Sequence, residues 1–157
     1  MLYIAVVGGS ECTGEESELA LQVGSEIARR GGVVICGGGS GVMKAASEGA
    51  QAAGGAALGI LPGTDHRLGN RYLNFTIATG LGEARNALIT RTADAVIAIG
   101  GEYGTLSEIA LALKMNKPVI GLNSWFLEAP HKTGQAIIEA SSAKEAVDKA
   151  FSACRNV

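Results

Sequence analysis

Apolar and polar positions fall into alternating blocks along this chain. Short runs rich in Val, Ile and Ala read as strands buried on both faces: Leu2–Val7, Val33–Cys36, Ala56–Leu61, Ala95–Ile99 and Val119–Leu122, with a weaker Ala136–Glu139. Between them lie segments with helical spacing: Glu16–Arg30, Gly41–Ala53, Glu83–Thr92, Thr105–Asn116 and Ser142–Cys154. In the first helix Leu19, Val23 and Ile27 recur at four-residue steps, and Gly31-Gly32 closes it. The last opens on Ser142-Ala143-Lys144-Glu145, the pattern of a capping box. Strands alternating with helices of this length predict an α/β fold, a doubly wound parallel sheet covered on both faces. With no linker, repeat or low-complexity tract, residues 1–157 read as a single Rossmann-like domain. The polar stretch Gly63–Asn74, holding Asp65, His66, Arg67 and Arg71, stands out as a lid or interface loop.

Right-handed crossovers bring every strand's carboxyl end to one edge of the sheet. Three of those ends carry glycines: Gly8-Gly9-Ser10, Gly37-Gly38-Gly39-Ser40-Gly41, and Gly100-Gly101 through Gly104-Thr105. A glycine turn that opens a helix offers bare N–H groups and the helix's positive end, which together bind anions, phosphate above all. The common nucleotide fingerprints nevertheless fail. Val42 occupies the third glycine position after Gly37 and Gly39, and no acid follows the second strand to hold a ribose. Gly9 and Gly14 have P-loop spacing, but Glu15 stands where that loop needs its lysine.

Bulk properties narrow the remaining classes. A chain of 157 residues, 47% of them hydrophobic, can bury a core of its own. A net charge of −2 with scattered Lys and Arg argues against a nucleic-acid partner. No apolar run spans a membrane, and the amino terminus lacks the pattern of a signal peptide, so the expected compartment is the cytoplasm. Cys12, Cys36 and Cys154 form no CxxC pair and read as reduced thiols in structural roles. His66 and His131 are isolated, and no metal site is expected.

Two side chains invite a chemical reading. Thr105-Leu106-Ser107-Glu108 fits a capping box, with Thr105 as N-cap; alternatively Glu108 faces a ligand at the mouth of the sheet. Arg85 falls in the first turn of a helix beginning near Glu83, where a cation is disfavoured unless an anion compensates. That anion is Glu83, Glu108 or a bound phosphate.

These residues resemble the Lonely Guy (LOG) phosphoribohydrolase superfamily, also known as lysine decarboxylase-like, whose signature is P-G-G-x-G-T-x-x-E with an upstream arginine. Gly104-Thr105-Leu106-Ser107-Glu108 matches G-T-x-x-E, Arg85 in Ala84-Arg85-Asn86 stands at the arginine, and Gly37–Met43 is similar to the family's second glycine loop. Ile99 replaces the proline, Glu102-Tyr103 lengthens the loop by one residue, and Asn86 stands where the family has lysine. The form G-G-x-x-G-T-L-S-E with A-R-N is closer to a sister branch that includes the molybdenum-cofactor carrier protein.

The resemblance implies that Arg85 and Glu108 are a catalytic pair hydrolysing nucleoside 5′-monophosphates to base and ribose 5-phosphate. A carboxylate near the sugar would stabilise the oxocarbenium charge that develops as the N-glycosidic bond breaks. Gly9 and Ser10, Gly38, Gly39, Ser40 and Gly41, Asn86, and Gly101, Gly104 and Thr105 are the implied ligand- and phosphate-binding positions. No cofactor is required for that reaction. In the carrier alternative the same loops hold the phosphate of the pterin, the molybdenum cofactor being carried and nothing cleaved; a nucleotide-sensing module is a third reading. The resemblance also implies a homodimer or tetramer, with Glu83–Thr92 and Thr105–Asn116 as the expected contacts. Trp125 and Phe126 either stack on a base or pterin or seal a core or subunit contact.

Overall fold

The strands of this chain are apolar at nearly every position, so both faces of their sheet must be covered, and helices cover both. In a computed structural model, which describes residues 1–131 and 136–155, the elements follow one another as β1 (Tyr3–Gly8), α1 (Gly14–Arg29), β2 (Val33–Cys36), α2 (Val42–Ala52), β3 (Ala56–Leu61), β4 (Phe75–Ala78), α3 (Asn86–Thr92), β5 (Ala95–Ile99), α4 (Tyr103–Lys114), β6 (Val119–Leu122), β7 (Ile138–Glu139) and α5 (Ala143–Arg155). Among the described residues the sheet has seven parallel strands in the order β4-β3-β2-β1-β5-β6-β7. The α/β, doubly wound, Rossmann-like expectation holds. Sequence-adjacent strands run outward in both directions from β1 and β5, and these two central strands pair from Ile4 with Ala95 to Gly8 with Ile99. The switch point, where doubly wound folds bind ligands, lies at their carboxyl ends.

Side-chain alternation divides the core in two. Ile4 and Val6 of β1 face a cluster with Val23 and Ile27 of α1, Ala46 and Ala50 of α2, and Val147 of α5. Ala5 and Val7 face the other way, onto Ile89 of α3 and Ile109 and Ala112 of α4. Both clusters are almost wholly excluded from water. On the first face α1 and α2 touch backbone to backbone: a methyl on Gly24 would overlap the carbonyl of Ala46, and one on Gly49 would overlap that of Leu21. Ser25 Oγ also donates to Gly49 O at 3.0 Å. Gly24→Ala should therefore reverse the usual helix-propensity gain of about 1 kcal/mol. Overpacking predicts a net loss of roughly 1–3 kcal/mol, a fall in melting temperature that calorimetry would detect; an unchanged or raised value would contradict the close crossing.

Several boundaries differ from the sequence expectation. The edge strand β4 was not foreseen: Phe75 and Ile77 point outward, 65% and 50% exposed, so its short pattern carries little of the burial signal of a central strand. The preceding polar stretch is stitched to the sheet. Asn70 N–H and Nδ2 donate to Gly38 O and Gly39 O at 2.9 and 3.1 Å, and Asn74 exchanges two hydrogen bonds with the backbone of Ala57. Helix α1 begins at Gly14 with Thr13 as N-cap, where Thr13 Oγ1 accepts from Glu16 N–H and Glu16 accepts from Thr13 N–H. At α5, Ser142 Oγ accepts from Glu145 N–H as expected, but the Glu145 carboxylate reaches back one residue further, to Ser141 N–H. Cys12, Cys36 and Cys154 are free thiols, with only Cys36 buried.

Candidate functional site

The turn from β5 into α4 is built from two glycines in the left-handed region, Gly100 at φ 52° and Gly101 at φ 96°. At Gly101 a side chain would also overlap Thr105. This turn starts α4 at Tyr103, two residues earlier than the sequence suggests. Glu102 occupies the N-cap, and its side chain makes no capping bond. Leu106 N–H donates to Glu102 O at 2.9 Å, while the N–H groups of Tyr103, Gly104 and Thr105 open the helix uncapped, as an anion cradle requires. The expected capping box is corrected accordingly. Thr105 is the third helical residue, 3% exposed, and Glu108 lies in the second turn, facing inward.

Glu108 is 8% exposed and accepts no hydrogen bond from the described residues. Burial pushes its pKa up to about 7, against the pull of the Arg85 charge. Arg85 closes a single 3₁₀ turn, Gly82–Arg85, directly before α3; it does not lie inside the first turn of a longer α-helix, which weakens the dipole argument for a compensating anion. Its Nη1 donates to Ile60 O at 3.2 Å, and its buried Nε has no acceptor. Burial pushes the guanidinium pKa down, with Glu108 and then Cys36 opposing. A methyl on Gly37 would overlap Arg85 Nη1, so the glycine makes room for the cation. Beneath it Cys36 is fully buried, its Sγ accepting from Gly38 N–H at 3.4 Å, and burial pushes that thiol up. An acid and a cation, both poorly hydrated and poorly partnered, thus face one space.

That space is a cleft of about 950 Å³ at the switch point. Of the positions singled out from sequence, Gly9, Ser10, Arg85, Asn86, Gly101, Gly104, Thr105 and Glu108 line it. Gly38, Gly39, Ser40 and Gly41 do not; this second glycine loop braces the first. Ser40 Oγ donates to Ser10 O at 2.9 Å, Val42 N–H donates to Gly9 O at 3.1 Å, and a methyl on Gly41 would overlap Gly9 O. Asn86 ties the helices together: its Nδ2 donates to Ser107 Oγ at 3.0 Å, and that hydroxyl donates to Gly104 O at 2.6 Å. Trp125 and Phe126 are not among the lining residues. Trp125 packs at the α4 side of the core, 6.1 Å from the Tyr103 ring, and Phe126 is 63% exposed. Sequence reading missed Glu11, Glu16 and Glu102 and weighed Glu83 only as a counter-charge for Arg85; all four line the cleft with Glu108, against Arg85 as the one lining cation among the described residues. For Glu16 a signal was present, because Thr13-Gly14-Glu15-Glu16 is itself a capping box. No cluster of three metal-ligating side chains occurs among the described residues.

Fold and site define a doubly wound α/β protein with an uncapped helix amino end and a buried acid at its switch point. More particularly, the chain belongs to the SLOG cluster4 family, whose family model matches residues 1–150. It is 45% identical over 122 residues to an uncharacterized protein of Archaeoglobus fulgidus, a match covering 78% of this chain and 80% of that one. It is 36% identical over 93 residues to the probable cytokinin riboside 5′-monophosphate phosphoribohydrolase LOGL5 of Oryza sativa subsp. japonica. That match covers 57% of this chain and 38% of the plant protein, so the chain spans well under half of that relative. Among solved structures, the molybdenum cofactor binding protein of Rippkaea orientalis superposes with a TM-score of 0.85 at 35% identity, over 96% of both chains. The resemblance to the LOG superfamily and to its molybdenum-cofactor-binding branch is borne out.

Proposed function

We propose that the cleft binds a nucleoside 5′-monophosphate and hydrolyses its N-glycosidic bond to free base and ribose 5-phosphate. The observation that carries this reading is Glu108, buried and without a hydrogen-bond donor among the described residues, beside the open amino end of α4. The 5′-phosphate sits on the N–H groups of Gly101–Thr105 with Arg85 as its counter-charge, and Gly9 and Ser10 form the opposite wall. The bond from C1′ to the base nitrogen breaks, a water oxygen bonds to C1′, and the proton released from that water balances the one gained by the base. A carboxyl with a pKa of about 7 exchanges protons readily at neutral pH. When ionised it stabilises the positive charge on the ribose.

The likeness to a molybdenum-cofactor-binding protein over almost the whole chain favours a second reading, a carrier that cleaves nothing. The cradle suits the phosphate of that cofactor. Its molybdenum–dithiolene end is also anionic, and it would meet Glu11, Glu16, Glu83 and Glu102 with no second cation lining the cleft among the described residues. The residues fit one half of the group and not the other, so the nucleotide reading leads. Native mass spectrometry of freshly purified protein, followed by incubation with AMP and assay of ribose 5-phosphate, separates the two. The hydrolase reading falls if no common nucleoside monophosphate yields ribose 5-phosphate.

Two further outcomes follow from this reading. Saturating phosphate or AMP should raise the melting temperature, since a ligand at a hundred times its Kd adds about 2.7 kcal/mol. No shift with millimolar AMP, GMP or phosphate would remove the nucleotide reading. Leu81, Leu88 and Tyr103 leave apolar surface exposed around α3 and the start of α4, and we propose that a second copy of the chain covers it. Light scattering should report a dimer or tetramer at micromolar concentration; a particle of monomer mass contradicts it.

A further inference from the structure

Glu16 is tied to the cleft in two ways that the phosphate chemistry does not use. Its carboxylate lies directly against Gly100, where any side chain would overlap Oε1, so the acid is packed onto the turn that opens α4. Its other oxygen, Oε2, accepts from Thr13 N–H at 2.9 Å, which holds the side chain in one orientation. The neighbouring acid turns away: Glu15 Oε1 accepts from Asn123 Nδ2 at 3.3 Å outside the cleft. Glu16, half-buried, therefore lines the space shared with Arg85, Glu108 and Thr105, and its Oε1 has no donor among the described residues. The α4 wall of that space offers hydrogen-bond donors. Oε1 offers an acceptor.

We propose that Glu16 Oε1 accepts a hydrogen bond from a ribose hydroxyl of the bound nucleotide, making Glu16 the residue that selects ribonucleotides over their deoxy analogues. This rests on the nucleotide reading above and extends it. A fully ionised phosphate group has nothing to give this oxygen, whereas a sugar hydroxyl donates to it while its phosphate lies on α4. A site built to bond a hydroxyl rejects the analogue that lacks it, because the half-buried acceptor then loses its donor. A bond to a carboxylate corresponds to about tenfold to a hundredfold in affinity.

The test is calorimetric titration of AMP, 2′-deoxy-AMP and 3′-deoxy-AMP into the wild type, Glu16→Gln and Glu16→Ala. The wild type should bind AMP at least tenfold more tightly than one of the two analogues. Glu16→Ala should bring that ratio close to one. Glu16→Gln, which keeps the capping box, should leave a ratio of about threefold or less and an unchanged melting temperature. The ratio is read on one folded population, so stability lost with the cap in Glu16→Ala does not move it. A wild type that binds all three equally, or a ratio that survives in Glu16→Ala, overturns the proposal: the capping box is then the whole role of Glu16, and the nucleotide reading stands. If the wild type binds none of the three, both readings fall.

Discussion

Glu108→Gln should sharply slow the release of ribose 5-phosphate from AMP and at the same time make the protein more stable above neutral pH. The two effects have one origin. Glu108 has a folded-state pKa of about 7 against an ordinary value of 4.5, raised by burial and only partly offset by Arg85. Below pH 4.5 the carboxyl is neutral in both states and affects nothing. Between there and pH 7 the folded state holds more protons than the unfolded one, so wild-type stability falls as pH rises. By about pH 8 nearly the full cost is present, on the order of 3 kcal/mol at 1.36 kcal/mol per pKa unit. Glutamine has the same shape and no such cost. Thermal melts should therefore coincide at pH 4 and diverge by pH 8, with the variant higher by roughly 5–10 °C. Turnover should fall by about 10²–10⁴-fold, with AMP affinity changed little. A variant that melts lower than the wild type at pH 8 would mean that Glu108 serves the fold as a bonded carboxylate, contrary to its burial without a donor among the described residues.

Arg85→Ala should cost about ten- to a hundredfold in affinity for inorganic phosphate and AMP, the range for a charge-assisted hydrogen bond. It should also move Glu108. The guanidinium charge is what holds that carboxyl down, so its removal raises the Glu108 pKa and extends the fall of stability, which still begins near pH 4.5, to higher pH. The fold should tolerate the change, because only the 3.2 Å bond to Ile60 O is lost from a side chain whose Nε is unpaired. Titration calorimetry and pH-dependent melts read the two effects separately. Unaltered phosphate affinity would move the anion cradle away from Arg85, and an unmoved pH profile would deny the electrostatic coupling with Glu108.

The doubly wound sheet was legible because its signal is local. Runs such as Val33–Cys36 and Ala95–Ile99 have no polar position to leave outside, and only two covering layers accommodate them. The family motif around Gly104–Glu108 and the arginine at 85 were legible for a different reason, since resemblance needs only ordered residues. Local pattern misled at Thr105. The tetrapeptide Thr105–Glu108 is a sound capping box by itself, but the left-handed pair Gly100-Gly101 ends β5 so abruptly that α4 begins before it. Edge strand β4 escaped because half of its side chains face solvent.

By itself, then, the sequence determined the order and type of the central elements, their two-sided burial, and a set of glycine turns at one edge of the sheet. Which turn opens its helix amino end onto the cleft was decided by tertiary structure. Gly9 and Gly41 meet across β1 and α2, so the second loop is consumed in bracing the first while the third stays open. The environment of Glu108 was decided in the same way, since its burial and its pull toward Arg85 come from packing α3 and α4 onto one face of the sheet. Glu16 becomes a wall of the cleft only because β1 pairs with β5, which lays the start of α1 against Gly100. Propensity and periodicity act over a few residues, and they set what each segment becomes. A binding site is made of distances between segments, and those exist only once the sheet has closed around its switch point.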